Sequence, residues 1–431
     1  MIYYIWWFFM KKIKLSTNPY IYNVDNVNVI RIHILYPVQI EPRYTDVYKL
    51  NLMNKIIGNS SKKYNEIDIF NKELNKNLII KYKVSYTRFD NELFISVNYV
   101  VPKEGLIDDF DLEKSFKLLH ELLYDPDVDN KKFNDKNFNW NKDVMLNNMK
   151  QEITNIYDLA TEEIDNFFDP DSKHFIHRKE RIELLEKTSP KNVYEYYEKN
   201  IKKNKFITFI YGAIDNKDKI LKYYNKYFKQ EEYFFDFDVQ LFRLIPYTDY
   251  QEKKIETKYN QSVVYQIYQV EKIREKDELT MRMLYYFLNS RENALIFGTL
   301  RSKYNLVYEC SVEYDNVHGL IYIRALMDKK DKELINKLIE ETIYSLYDEK
   351  EFNRCKANLM KSLEYDLLDD EDDDFHDVVI KIFKKLKYSV DIEYIIKHMA
   401  KIDYERMKEF LGRFKLSRNL FMEGGHYEKD L

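Results

Sequence analysis

The nearest approach to a zinc-binding helix in this sequence is His120-Glu121-Leu122-Leu123-Tyr124, where a second histidine would complete an HExxH motif. A catalytic zinc needs three protein ligands and an open position for water, usually with two of the ligands on one helix face. Tyr124 stands where the second ligand should be, and the inverted motif HxxEH does not occur. His174 and His177, near Asp169 and Asp171, form the only close histidine pair. They lack a helical frame and a placed general base, so a solvated loop is the plainer reading. Cys310 lies in a strand-like pattern and Cys355 in a helix-like one. Both read as small buried hydrophobes rather than nucleophiles, and no GxSxG elbow accompanies them. The acidic run from Asp369 to Asp374, followed by His376, reads as a solvated turn between helices rather than a cation site.

Composition narrows the classes further. The 431 residues carry 69 basic and 73 acidic side chains, a net charge of −4, which argues against a protein that coats nucleic acid. With 45% hydrophobic and 33% charged residues the chain is a folded one, long enough for two or three domains. Two cysteines cannot build a disulfide framework or a cysteine-rich zinc module, which fits a reducing compartment. Only 8 glycines are present, and none forms GxGxxG or GxxxxGK[ST], so nucleotide chemistry of those kinds is not expected. The opening MIYYIWWFFM, followed by Lys11, Lys12 and Lys14, is too short to span a bilayer. Its charges also follow the apolar stretch, unlike those of a secretory signal. It reads as a first strand, as residues upstream of a natural start at Met10, or as a weak surface anchor. No other stretch suggests a membrane span, and a cytoplasmic location is the expectation.

The elements that would position any site are written twice. The first copy opens with a strand around Val27, Val29, Arg31, His33 and Leu35, then a helix carrying Val47, Leu50, Met53 and Ile57 on one face. Strands near Leu78–Thr87 and Glu92–Val101 follow. A helix with Phe116, Leu119, Leu122 and Leu123 closes on Tyr124-Asp125-Pro126, and another runs from about Trp140 to Ile156. The second copy has a strand at Ser262–Val270, a helix at Leu279–Leu288, and strands at Leu306–Tyr314 and Gly319–Met327. Its next helix carries Leu334, Leu338, Thr342, Ile343 and Leu346 and closes on Tyr347-Asp348, and the one after spans Phe352 to Leu367. Thr188-Ser189-Pro190 starts a capped helix that leads to a strand at Phe206–Tyr211 and Gly212. Its counterpart is Asp403–Phe414, leading to Leu420-Phe421-Met422 and Gly424. The period of roughly 230 residues is domain-sized rather than that of a solenoid repeat. The expected division is 11–228, a linker at 229–258 that lies against both domains, and 259–431.

This duplicated α+β unit resembles the insulinase/pitrilysin family of zinc peptidases, the inverzincins, over nearly the whole chain from Lys11. The likeness rests on Thr188-Ser189-Pro190 through Tyr196-Tyr197, on Ile210-Tyr211-Gly212-Ala213-Ile214-Asp215, and on Arg301 followed seven positions later by Tyr308. The resemblance implies two homologous sheet-plus-helices domains, an αβ-roll of metallopeptidase type, facing each other across a cavity. It places the family's HxxEH on the helix Tyr48–Ile56, which holds neither His nor Glu, and its later acidic positions at Asn141 and Asn148. An amide does not supply the charge a zinc ligand needs, and neither Lys nor Asn deprotonates a bound water. No metal and no catalytic residue are therefore expected on this chain. Arg301 and Tyr308 remain, matching residues that the family uses to hold peptide substrate. That pattern is similar to the zinc-less chain of bacterial two-chain peptidases and of mitochondrial processing peptidase. It implies a heterodimer whose zinc lies on an HxxEH-bearing partner subunit, with peptide as substrate and no nucleic acid. A dead insulinase-like scaffold or peptide-binding protein with no part in proteolysis is the alternative.

Overall fold

In a computed structural model of the chain, two compact units form, one from residues 1–151 with 173–240, the other from 152–172 with 241–431. The structure describes residues 10–24, 27–38, 47–89, 92–152, 155–168, 178–240, 247–271, 274, 277–289, 294–315, 319–368 and 392–425. The first part of the chain builds β1 (Met10–Ser16), β2 (Tyr20–Asn23), β3 (Val29–Val38), α1 (Val47–Ile57), α2 (Ile67–Lys76), β4 (Lys81–Phe89), β5 (Glu92–Pro102) and α3 (Leu112–Tyr124). A two-residue ribbon, β6 (Val128–Asp129) with β7 (Lys132–Phe133), leads to α4 (Asp135–Glu152) and α5 (Ile156–Phe168). Then come α6 (Arg178–Glu186), α7 (Pro190–Tyr197), β8 (Ile207–Gly212), α8 (Lys217–Phe228) and β9 (Phe234–Gln240). The remainder builds β10 (Gln251–Glu256), β11 (Ser262–Val270), α9 (Asp277–Asn289), α10 (Leu295–Phe297), β12 (Val307–Asp315), β13 (Leu320–Met327) and α11 (Lys332–Tyr344). It ends with α12 (Glu349–Leu368), α13 (Ile392–Met399), α14 (Tyr404–Arg413) and β14 (Phe414–Glu423).

The duplication read from the sequence is present in the topology. One five-stranded sheet has the order β2-β8-β3-β5-β4 and the other β10-β14-β11-β13-β12. Each pairs its first two strands parallel and the rest antiparallel. The matched glycines have matched causes. A Cβ on Gly212 would meet the carbonyl oxygen of Val29 at 2.1 Å, and one on Gly424 would meet that of Gln261 at 2.2 Å. Both strands therefore end where a neighbouring backbone passes too close for any side chain.

One face of the first sheet packs Ile30, Ile32, Ile34 and Tyr36 into a core with Leu50, Met53, Phe116 and Leu119. In the second unit Tyr268, Ile321 and Ile323 pack with Leu284, Leu288, Ile339 and Ile343. All nine residues of β11 are buried, because its other face is covered too. The cover is α5, whose Ile156, Tyr157, Ala160 and Ile164 lie on Val263, Tyr265, Ile267, Leu420 and Met422. Arg324 of β13 clasps it, its guanidinium 3.7 Å from the centre of the Tyr157 ring and its Nη1 donating to Thr161 Oγ1 at 2.7 Å.

Several boundaries differ from the periodicity. The helix expected from about Trp140 to Ile156 is α4, which ends at Glu152, and Ile156 instead begins α5. α4 starts five residues early because Asn134 Oδ1 accepts from the Lys136 N–H. The strand expected from Leu78 starts at Lys81, since Leu78 takes a left-handed φ of 57° as the chain leaves α2. The segment expected as a linker is divided between the units: β9 pairs with β1, and β10 with β14. No helix among the described residues is long and apolar enough to cross a membrane.

Candidate functional site

The helix that would carry the zinc ligands is α1, and the structure has turned it into core. Tyr48, Leu50, Leu52, Met53, Ile56 and Ile57 are all buried. Asn54 is 3% exposed, and neither atom of its amide finds a hydrogen-bond partner. Asn141, the expected stand-in for an acidic ligand, is 2% exposed on α4. Its Oδ1 accepts from Asn59 Nδ2 at 2.9 Å, just beyond the end of α1, and its Nδ2 donates to the Asn137 carbonyl at 2.8 Å. An amide bridge thus ties α1 to α4. Asn148, one heptad on, is exposed. Among the described residues no group of three or more His, Cys, Asp or Glu could hold a metal ion.

The other candidates fall into packing roles or outside view. His120 sits against Tyr124 at 4.9 Å and Phe228 at 5.6 Å, and burial lowers its pKa. Tyr124 Oη and Tyr36 Oη share a hydrogen bond of 2.7 Å. The near-HExxH is an aromatic cluster. Burial first, with Glu309 adding to it, pushes the Cys310 thiol up to about 11, and burial does the same for Cys355. Neither is a ready thiolate. Asp169, Asp171, His174 and His177 lie outside the described residues, as do Asp369 to Asp374 and His376.

Arg301 and Tyr308 lie on a surface built by one short loop of the second unit. After α10 the chain widens into a π-helical turn over Gly298–Lys303, a distortion that recurs at functional sites. Leu300 is fully buried and anchors the turn, and Asn305 reverses it with a φ of 50°. Arg301 is exposed, and its Nη1 donates to the Val307 carbonyl at 2.7 Å. β12 and β13 pair Val307 with Met327 and then Glu309 with Leu326, so Tyr308 is the extra residue of a β-bulge. The bulge leaves Tyr308 53% exposed, and its hydroxyl donates to Asp328 Oδ1 at 2.9 Å. Phe297 and Tyr304 are exposed on the same loop. The sequence reading named Arg301 and Tyr308 but missed Asp328. Its signal was the hairpin register, which a bulge shifts by one and which residue types do not reveal.

A shallow apolar cleft of about 390 Å³ opens in the first unit among Leu78, Ile79, Ile80, Pro102, Leu106 and Ile107. It carries no ionisable group, so it offers a hydrophobic seat and no chemistry.

Residues 187–359 match the Peptidase M16 inactive domain. No curated protein matches the chain by sequence. Among solved structures, the chain is similar to a conserved protein from Enterococcus faecalis V583, with a TM-score of 0.79, 13% identity, and coverage of 98% of this chain and 100% of that one. It is similar to a peptidase M16 inactive domain from Pseudomonas fluorescens, with a TM-score of 0.66, 10% identity, and coverage of 98% and 99%. A third likeness is to the ferredoxin protease FusC, solved as a mutant in complex with Arabidopsis ferredoxin, with a TM-score of 0.61 and 10% identity. That likeness covers 93% of this chain but 43% of the protease. Residues 187–359 thus resemble an M16 inactive domain, and from end to end the chain has the fold of those solved structures.

Proposed function

We propose that this chain is the non-catalytic subunit of a heterodimeric insulinase-type peptidase. It contributes peptide contacts through Arg301 and Tyr308 and closes a chamber whose zinc is held by an HxxEH-bearing partner. One contrast carries the reading: the family's metal-bearing helix is filled with core residues, while the Arg301–Tyr308 loop stays exposed and bulged outward. The span of the FusC likeness supports it. This chain matches less than half of a peptidase that binds its protein substrate as one longer polypeptide, which leaves a second, chain-sized portion for a partner to supply. The alternative, a scaffold outside proteolysis, draws support from the Pseudomonas inactive-domain protein, which is matched along 99% of its own length.

Affinity purification from the native cell decides between them. A co-eluting chain with HxxEH, together with chelator-sensitive peptide cleavage by the pair, is the expected result. Purification of the chain with no HxxEH protein leaves the scaffold.

A further inference from the structure

The Tyr308 hydroxyl is already committed. A phenol has one proton to donate and two lone pairs with which to accept. Tyr308 Oη lies 2.9 Å from Asp328 Oδ1, and a carboxylate can only accept, so the phenol proton is spent on Asp328. The hydrogen bond to Asp328 and its charge also raise the phenol pKa, which keeps that proton in place. The backbone holds Asp328 where it is: it follows β13 directly, and its carbonyl accepts the Asp331 N–H at 3.0 Å in the turn that leads into α11. Arg301 has the opposite character. A guanidinium carries five N–H donors and no acceptor, and Arg301 commits one donor to the Val307 carbonyl.

We propose that Asp328 is a positioning residue that makes the Tyr308 oxygen a hydrogen-bond acceptor, so that this loop reads the main chain of an extended polypeptide. Arg301 donates to a peptide carbonyl, and Tyr308 accepts a peptide N–H. A helix or a paired strand has already spent these groups internally, so the surface selects unfolded or strand-like segments with little regard to side chains. The inference rests on the peptide-contact reading above and deepens it, since a phenol with a free proton would instead be expected to donate to a carbonyl.

The test uses the full chain and a fluorescein-labelled, unstructured 15-residue peptide of mixed sequence. The peptide is made all-amide and as a set in which one backbone amide at a time is replaced by an ester. Anisotropy should show one ester position that weakens wild-type binding about 3- to 10-fold, the worth of one hydrogen bond. In Tyr308→Phe the all-amide peptide should bind as weakly as that ester, which then costs nothing further. Asp328→Ala should shrink the ester penalty, and Asp328→Glu should restore it. In parallel, the Tyr308 ¹³Cζ resonance should titrate above that of a free phenol in the wild type and return toward it in Asp328→Ala. If Tyr308→Phe weakens binding but no ester position discriminates, Tyr308 donates and the inference is overturned while the peptide reading stands. If Arg301→Ala and Tyr308→Phe both bind like wild type, or if no binding occurs, the peptide reading itself falls and takes the inference with it. A resonance that does not respond to Asp328→Ala removes the hydrogen bond from which the inference starts.

Discussion

At the scale of the residue, the proposed role makes Arg301 worth most where charge develops. Its free N–H groups would strengthen their bonds as a peptide carbonyl gains negative charge, which is how such donors lower a barrier. In a reconstituted pair, Arg301→Ala should leave assembly intact and slow peptide cleavage by about 30- to 1000-fold, or roughly 2–4 kcal/mol. Tyr308→Phe should cost less, since only a hydroxyl goes. Cleavage rates, with co-elution as the assembly check, decide this. His33 makes a different kind of prediction. It is 1% exposed on β3, and burial first, then Lys81 and Arg31, lower its pKa to about 3. Its pKa in the unfolded chain is about 6.5. Between those values the unfolded chain binds a proton that the folded chain refuses, so stability falls as pH drops through that window. From pH 7 to pH 5 the loss should be about 2 kcal/mol. Urea unfolding of wild type against His33→Gln over that range should show the difference, and parallel curves would refute it.

At the scale of the element, the amide bridge between Asn59 and Asn141 does structurally what a shared metal does chemically: it joins α1 to α4. Asn141→Ala would leave the Asn59 amide and the Asn137 carbonyl without that partner. The expected cost is about 1–3 kcal/mol, read as a lower urea midpoint with an unchanged slope. Asn141→Asp should not create a zinc site, because α1 offers no ligand beside it. Helix α5 is the second telling element. Its apolar stripe covers a sheet whose strands come more than eighty residues later, so its docking depends on contacts between distant parts of the chain. Ile164→Asp would bury a charge on Ile267 and its neighbours. Limited proteolysis should then cut near α5 well before it cuts wild type.

At the scale of the whole molecule, a duplicated unit need not fold as two separable halves. A fragment of residues 259–431 lacks both α5 and β10, leaving one face of its sheet bare and β14 without its parallel neighbour. It should aggregate on expression, whereas co-expression with residues 152–172 and 241–258 restored should yield soluble material. Soluble, cooperatively unfolding 259–431 alone would contradict the role given to α5. The metal content follows from the same whole-chain reading. The isolated chain, by elemental analysis after dialysis, should hold well under one zinc, and a stoichiometric zinc would direct attention to His174 and His177.

Much of this protein was written locally. The strand at Ser262–Val270, the helical stripe of Phe116, Leu119 and Leu123, and the repeated order of such elements follow from side-chain pattern, which a single strand or helix already expresses. The same local logic shows that Tyr48–Ile56 has no zinc ligand, because a missing imidazole is missing at every scale. Other features had no local signature. That α5 belongs with the second sheet depends on which apolar face is left open after the chain has turned, and Ile156 and Ile164 would look the same against either sheet. The role of Asp328 depends on strand register, and the bulge at Tyr308 shifts that register without any glycine or proline to announce it. Residue type decided what each group can donate or accept, and only the tertiary pairing decided which of those capacities were already spent.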